Sequence, residues 1–115
     1  MIFAVLLLLA CYFSLIIVAI RCADGRIGIN RVAGIRTQAL MVNEQTWVAG
    51  HQAAKGPTLT GAYAAAALTT STLVMPSEAL QATSILVAGF LMLAGVLWGT
   101  AKGTKTAKLA LVQQP

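Results

Sequence analysis

Charge is what this sequence has least of. Only 10% of its 115 residues are charged, against 58% that are hydrophobic. A soluble globular domain carries about 25% charged residues. Eleven charged side chains cover the surface of a soluble protein of this size poorly, so the expected solvent for most of the chain is a bilayer. Acid is scarcer still: Asp24, Glu44 and Glu78 are the only carboxylates, and His51 is the only histidine. Three carboxylates held far apart by topology make no general acid–base pair. One histidine and two separated cysteines fall short of the three or four ligands of a usual zinc site. There is no Gly-rich nucleotide loop and no nucleophile elbow. These absences exclude the common enzyme classes and leave no expected cofactor or metal. No internal repeat is visible, and no charge lies inside the long apolar segments to mark an ion path through a single copy.

What the sequence does have is apolar blocks. Residues 1–20, 58–75 and 79–98 each fit a membrane span of about 20 residues, and all eleven charges fall between or beyond them. A Lys or Arg at the centre of a span costs roughly 3 kcal/mol, which accounts for the segregation. The expected fold is an all-α integral membrane three-helix bundle, a single membrane domain over residues 1–115. Arg21, Arg26, Arg31, Arg36 and Lys55 lie between the first two spans, and Lys102, Lys105 and Lys108 follow the third. Only Glu78 marks the short connection between spans two and three. The positive-inside rule then places the 21–57 loop and the basic tail 99–115 in the cytoplasm, with the N-terminus outside. The net charge of +5 follows from this topology and requires no nucleic acid partner. Each near-surface lysine gains about 1 kcal/mol from anionic lipid, so Lys102, Lys105 and Lys108 are the expected headgroup contacts. The stretch "GTAKGTKT" departs from a phosphate-binding loop, because its second Gly comes one residue early and Thr104 separates it from Lys105.

The first span lacks the basic start of a secretory signal, its apolar run is long, and Arg21 follows it. "LLAC" at 8–11 resembles a lipidation box, but more apolar residues follow Cys11, so an uncleaved N-out anchor is the preferred reading. Helical spacing separates Cys11 from Cys22 by roughly 16 Å, beyond the reach of a disulfide. Cys11 is expected to be a small packing residue and Cys22 a free thiol just inside the cytoplasm.

Small residues set the expected packing. Span two carries "GAYAAAALTTST", and span three carries Gly95 and Gly99 at the GxxxG spacing. Antiparallel spans bring Thr69, Thr70, Ser71 and Thr72 to the depth of Gln81, Thr83 and Ser84, where hydroxyls and an amide are expected to bond across the hairpin. The alternative is a shallow polar groove facing outward. Pro76 ends span two, Ser77 caps span three, and Glu78 sits in its favourable first turn. Tyr63, Trp98 and Trp47 are expected as an aromatic belt at the inner boundary.

The loop divides in two. "RCADGRIGINRVAGIRT" is rich in turn residues and does not read as a long helix. From Asn43 a cap, an acidic first turn and "EQTWVAGHQAA" read as a short interfacial helix, stopped by Gly56-Pro57. Trp47 and His51 share one face of it. The order Asn30-x-x-x-Gly34-Ile35-Arg36-Thr37, nine residues, Trp47, three residues, His51 resembles the SdpI family of bacterial membrane proteins. About 22 residues carry the resemblance closely. Two departures stand out: residue 38 is Gln where many relatives are expected to have Pro, and the family's namesake is longer, with additional spans before the motif. The resemblance implies a multi-pass protein of the bacterial plasma membrane, with immunity to a membrane-active peptide and signalling of its presence.

Physically, Gly34 lets the chain turn beside a helix, and Arg36 offers five fixed donors. His51 is placed to accept from Thr37, pair with Glu44 or titrate. Arg36, Thr37, Trp47 and His51 either tie the loop to the inner end of the bundle or form a docking surface for a cytoplasmic protein or a lipid headgroup. Two functions follow. One is SdpI-like immunity or signalling toward a membrane-active peptide. The other is an accessory structural subunit packed against a larger membrane protein. Membrane lipids are expected partners in both.

Overall fold

The computed structural model describes residues 2–113. The described residues form three α-helices, α1 (Ile2–Ala23), α2 (Glu44–Ser71) and α3 (Glu78–Gln113), with a 3-10 turn at Thr72–Val74 before α3. The fold is all-α, as expected. α1 and α3 are long and apolar enough to cross a membrane; α2, which holds the expected second span only up to Ser71, is not among the helices that meet that measure. α2 packs against both α1 and α3, most extensively against α3.

Two expected boundaries are corrected. The short helix after Asn43 and the span after Pro57 are one continuous helix, with Pro57 inside it. Proline removes one helical N–H, and its ring clashes with a Cβ on the preceding residue. Gly56 has no Cβ, which relieves that clash, and membrane helices tolerate such interruptions. The basic tail is also helical, since α3 continues through Lys102, Lys105 and Lys108 to Gln113. At 36 residues, α3 is roughly 54 Å long. The molecule measures 59 × 21 × 18 Å, well beyond a hydrocarbon layer of about 30 Å. One end of the bundle must therefore project from any bilayer that the other end fills.

The interior divides accordingly. One cluster joins Tyr12 and Ile16 of α1, Ala62 and Ala65 of α2, and Ala88 and Met92 of α3. A second joins Cys22, Leu40, Trp47 and Ala107, flanked by Ile27, Ile29 and Ile35 of the loop. Between them α2 and α3 touch through small residues. A Cβ on Gly61 would lie 2.9 Å from the Cα of Gly95, and one on Gly103 would lie 2.6 Å from the carbonyl oxygen of Gly50. Gly95, Gly99 and Gly103 thus extend the GxxxG pattern by a turn, and Gly50, Ala54 and Gly61 face them on α2.

The hairpin is tied differently from expectation. Thr70 and Ser71 donate to their own helix, to the carbonyls of Ala66 and Ala67. The cross-link comes from the Gln81 amide, which donates to the carbonyls of Thr72 and Met75, and from Ser84, which reaches the Met75 sulfur. Ser77 caps α3 as expected, its Oγ accepting from the Leu80 amide at 3.2 Å. Both cysteines are free, but their settings are reversed: Cys11 faces outward on α1 and Cys22 is buried. Val5 and Tyr12 are the buried residues nearest Cys11 on either side, and Cys11 itself is exposed on α1.

Candidate functional site

Residues 24–43 contain no helix or strand, and their shape comes from side-chain bonds. Asn30 is the hub. Its Nδ2 donates to the carbonyls of Gly28 and Ala33, and its Oδ1 accepts from the amides of Val32 and Ala33. An asparagine that satisfies four local backbone groups replaces the hydrogen bonds a helix would have made. Glu44, in the first turn of α2, accepts from the Ile29 amide. Asn43 and Thr46 form a reciprocal capping box at the start of α2, as the sequence led us to expect of Asn43. Thr46 also donates to the Leu40 carbonyl, pinning the end of the loop.

Trp47 is fully buried, which corrects its expected place at the membrane interface. Its indole Nε1 donates to the Ile27 carbonyl at 2.8 Å. A tryptophan whose single polar atom finds a partner is suited to a core. Ile27 lies twenty residues upstream, so no local pattern in the sequence announces it.

His51 is likewise buried, with its ring centroid 4.4 Å from that of Trp47. The Ile35 amide donates to His51 Nε2 at 2.9 Å. An amide can only donate, so Nε2 carries no proton. The neutral ring therefore holds its proton on Nδ1 and donates to the Trp47 carbonyl at 2.8 Å. The expected partners Thr37 and Glu44 are bonded elsewhere. Burial pushes the His51 pKa below its ordinary value, and the bond to the Trp47 carbonyl offsets this in part.

Gly34 lies flat against this pair. Its φ is +105°, and a Cβ there would sit 2.8 Å from Trp47 Cη2 and 3.0 Å from His51 Nε2. Thr37 ties the loop to the third helix, accepting from the Thr104 hydroxyl at 3.1 Å. Ile35 packs into the second core. Arg36 stands apart from the other motif residues. It is exposed and has no hydrogen-bond or ion-pair partner among the described residues. Asn30, Gly34, Ile35, Thr37, Trp47 and His51 build a rigid cap over the second core, and Arg36 projects from it. Lys102, Lys105 and Lys108 are exposed on the last turns of α3. Among the described residues no group of three His, Cys, Asp or Glu is placed to hold a metal ion.

No curated protein and no solved structure matches the chain. A family model does match, over residues 26–101, a segment that begins with the loop, takes in the cap and the whole of α2, and ends within α3. That match covers more than half of the sequence, and with two helices able to span a bilayer it identifies a membrane protein that belongs to the SdpI/YfhL protein family.

Proposed function

We propose that this is a multi-pass protein of a bacterial plasma membrane that confers immunity to a membrane-active peptide or signals its presence, with Arg36 as the docking residue. In this reading α1, the 58–71 part of α2 and the first part of α3 cross the bilayer. The loop and the last turns of α3 lie in the cytoplasm, and Lys102, Lys105 and Lys108 meet the headgroups. The observation that carries the reading is the contrast at the motif. The other motif residues are engaged in folding the cap, while Arg36 displays an unpaired guanidinium on it. A planar fork of donors held on a rigid base suits a carboxylate or phosphate on a partner.

The test is survival of cells exposed to a panel of membrane-active peptides, with and without the gene. Wild type is expected to protect against at least one peptide. Arg36→Ala is expected to lose protection at an unchanged membrane level, with Arg36→Lys recovering it only in part. Full protection by Arg36→Ala overturns the role given to that residue, and unchanged survival without the gene overturns immunity.

A second reading is an accessory subunit packed against a larger membrane protein. It is favoured by the outward face of α1, where Phe3, Leu6, Leu7 and Phe13 are exposed. Co-purification of a larger protein at fixed stoichiometry in mild detergent supports it, and a monodisperse lone chain counts against it.

A further inference from the structure

We infer that the junction between the two cores is a binding site for an anionic phospholipid, one acyl chain entering a cavity there and the headgroup phosphate resting at Lys55. Arg36 does not line this cavity, although its neighbours Gly34 and Ile35 do; the inference rests on the membrane placement of α2 and α3 proposed above but not on a docking role for Arg36. A half-open cavity of about 120 Å³ lies among all three helices and the loop, with apolar walls that include Leu15 and Ala19 of α1, Ala54 of α2 and Val96 of α3. Its walls are mainly apolar, so a hydrocarbon chain is a better occupant of its interior than water.

The polar side chains at this cavity supply the headgroup contacts. Lys55, Thr58 and Thr100 line it, and none has a hydrogen-bond or ion-pair partner among the described residues. Ser14, Thr60, Thr70 and Ser71 each donate to the carbonyl four residues back in their helix; Thr58 and Thr100 leave their hydroxyls free, as Thr69 does away from the cavity, and theirs open onto the cavity. His51 also lines the cavity, but both of its ring nitrogens are engaged. No acid is among the described residues that line the cavity, so none neutralises Lys55 there.

Depth selects the class of ligand. A Cβ on Gly99 would touch Thr58 Oγ1 and the Ala54 carbonyl, so residues 54–58 and 98–100 lie at one level. Trp98 at that level is exposed, as aromatic residues at the headgroup boundary are. A ligand reaching this mouth with both an apolar chain and a phosphate is a lipid of the surrounding leaflet. An anionic headgroup is preferred to a zwitterionic one, whose own ammonium competes with Lys55 for the phosphate.

The full chain in mild detergent, titrated with phosphatidylglycerol and read by native mass spectrometry, tests this. Phosphatidylcholine and glycerol phosphate are the comparison arms. Wild type is expected to bind one phosphatidylglycerol saturably and phosphatidylcholine more weakly. Lys55→Gln is expected to weaken the lipid about fivefold. Ala19→Phe fills the cavity from α1 and is expected to abolish the saturable site; Val96→Phe fills it from α3 and serves if the first variant misfolds. Equal retention of the two lipids overturns the proposal, as does unchanged affinity in Lys55→Gln and a folded cavity-filling variant. Glycerol phosphate binding as tightly as the lipid overturns the acyl-chain site, and a second copy of the chain occluding the mouth overturns it as well.

Discussion

Replacing Gly34 by alanine tests the construction of the cap directly. Two separate costs are expected. A residue with a side chain held at the +105° φ of Gly34 is strained by about 1–3 kcal/mol. The new methyl also meets Trp47 and His51 at 2.8–3.0 Å, in a core that cannot give way because Trp47 is fully buried. Such overpacking costs about 1–3 kcal/mol more. The sum, about 2–6 kcal/mol, is a large fraction of the stability of a small domain.

Two other glycines separate the terms. Gly25 has φ +81°, but its added Cβ would meet only Val48 Cγ2 at 3.8 Å, so Gly25→Ala carries the strain alone. At Gly56 an added Cβ meets nothing within 4 Å in the interior of α2. Gly56→Ala therefore gains up to about 1 kcal/mol of helix propensity, less whatever a methyl before Pro57 costs. Hydrogen exchange of the Ile35 amide in detergent micelles reads the cap, since that amide is bonded to His51. Exchange is expected to be at least about 30-fold faster in Gly34→Ala, about 5- to 150-fold faster in Gly25→Ala but always less so than in Gly34→Ala, and close to wild type in Gly56→Ala. If Gly34→Ala exchanges no faster than Gly25→Ala, then Trp47 and His51 do not floor residue 34 and the account of the motif is wrong.

Three further outcomes are expected. The His51 pKa is lowered in the fold, so the stability it contributes is complete above its ordinary value of 6.5 and is lost as pH falls through the lowered value; a second ring proton would set two donors against each other at the Ile35 amide. Protection of that amide should therefore be flat above pH 6.5 and fall on acidification, and His51→Gln should remove that dependence. Gly95→Leu is expected to force α3 away from Gly61, lowering the melting temperature in detergent by the equivalent of about 1–3 kcal/mol, with an unchanged melt counting against the close helix contact. Thr37→Val deletes the bond to Thr104 and is expected to cost about 1 kcal/mol, measured as faster exchange in residues 35–38 but not at Asn30.

The helices were legible in the sequence because their signals are local. Asn43 with Glu44 announces the start of α2, and Ser77-Glu78 announces α3. Hydropathy alone marks α1. Gly56-Pro57 misled for a physical reason: proline reports the loss of one N–H, but not whether neighbouring contacts hold the helix together across the gap. Here the carbonyl of Pro57 lies against Gly95, within 2.9 Å of where a Cβ would be, so α3 supports α2 through the interruption. The cap was legible as a set of residues but not as a set of contacts. Trp47 to Ile27 and Thr104 to Thr37 span long stretches of chain, and no periodicity encodes them. The cavity was invisible for the same reason, being lined from three helices and a loop that only tertiary packing brings together.

The division within the motif decides how its variants are to be read. Changes at Asn30, Gly34, Trp47 or His51 remove a loop hub, a close approach or a buried bond, and each opens the cap. Loss of function in any of them follows from unfolding and says nothing about what the cap presents. Arg36 differs because its side chain makes no bond that folding uses. Removing an exposed, unpaired side chain changes stability by about 0.5 kcal/mol or less. Arg36→Ala should therefore leave Ile35 exchange and the melting temperature at wild-type values while function falls. If Arg36→Ala instead destabilises the cap as Gly34→Ala does, the guanidinium has an internal partner, and the separation of scaffold from docking residue is lost.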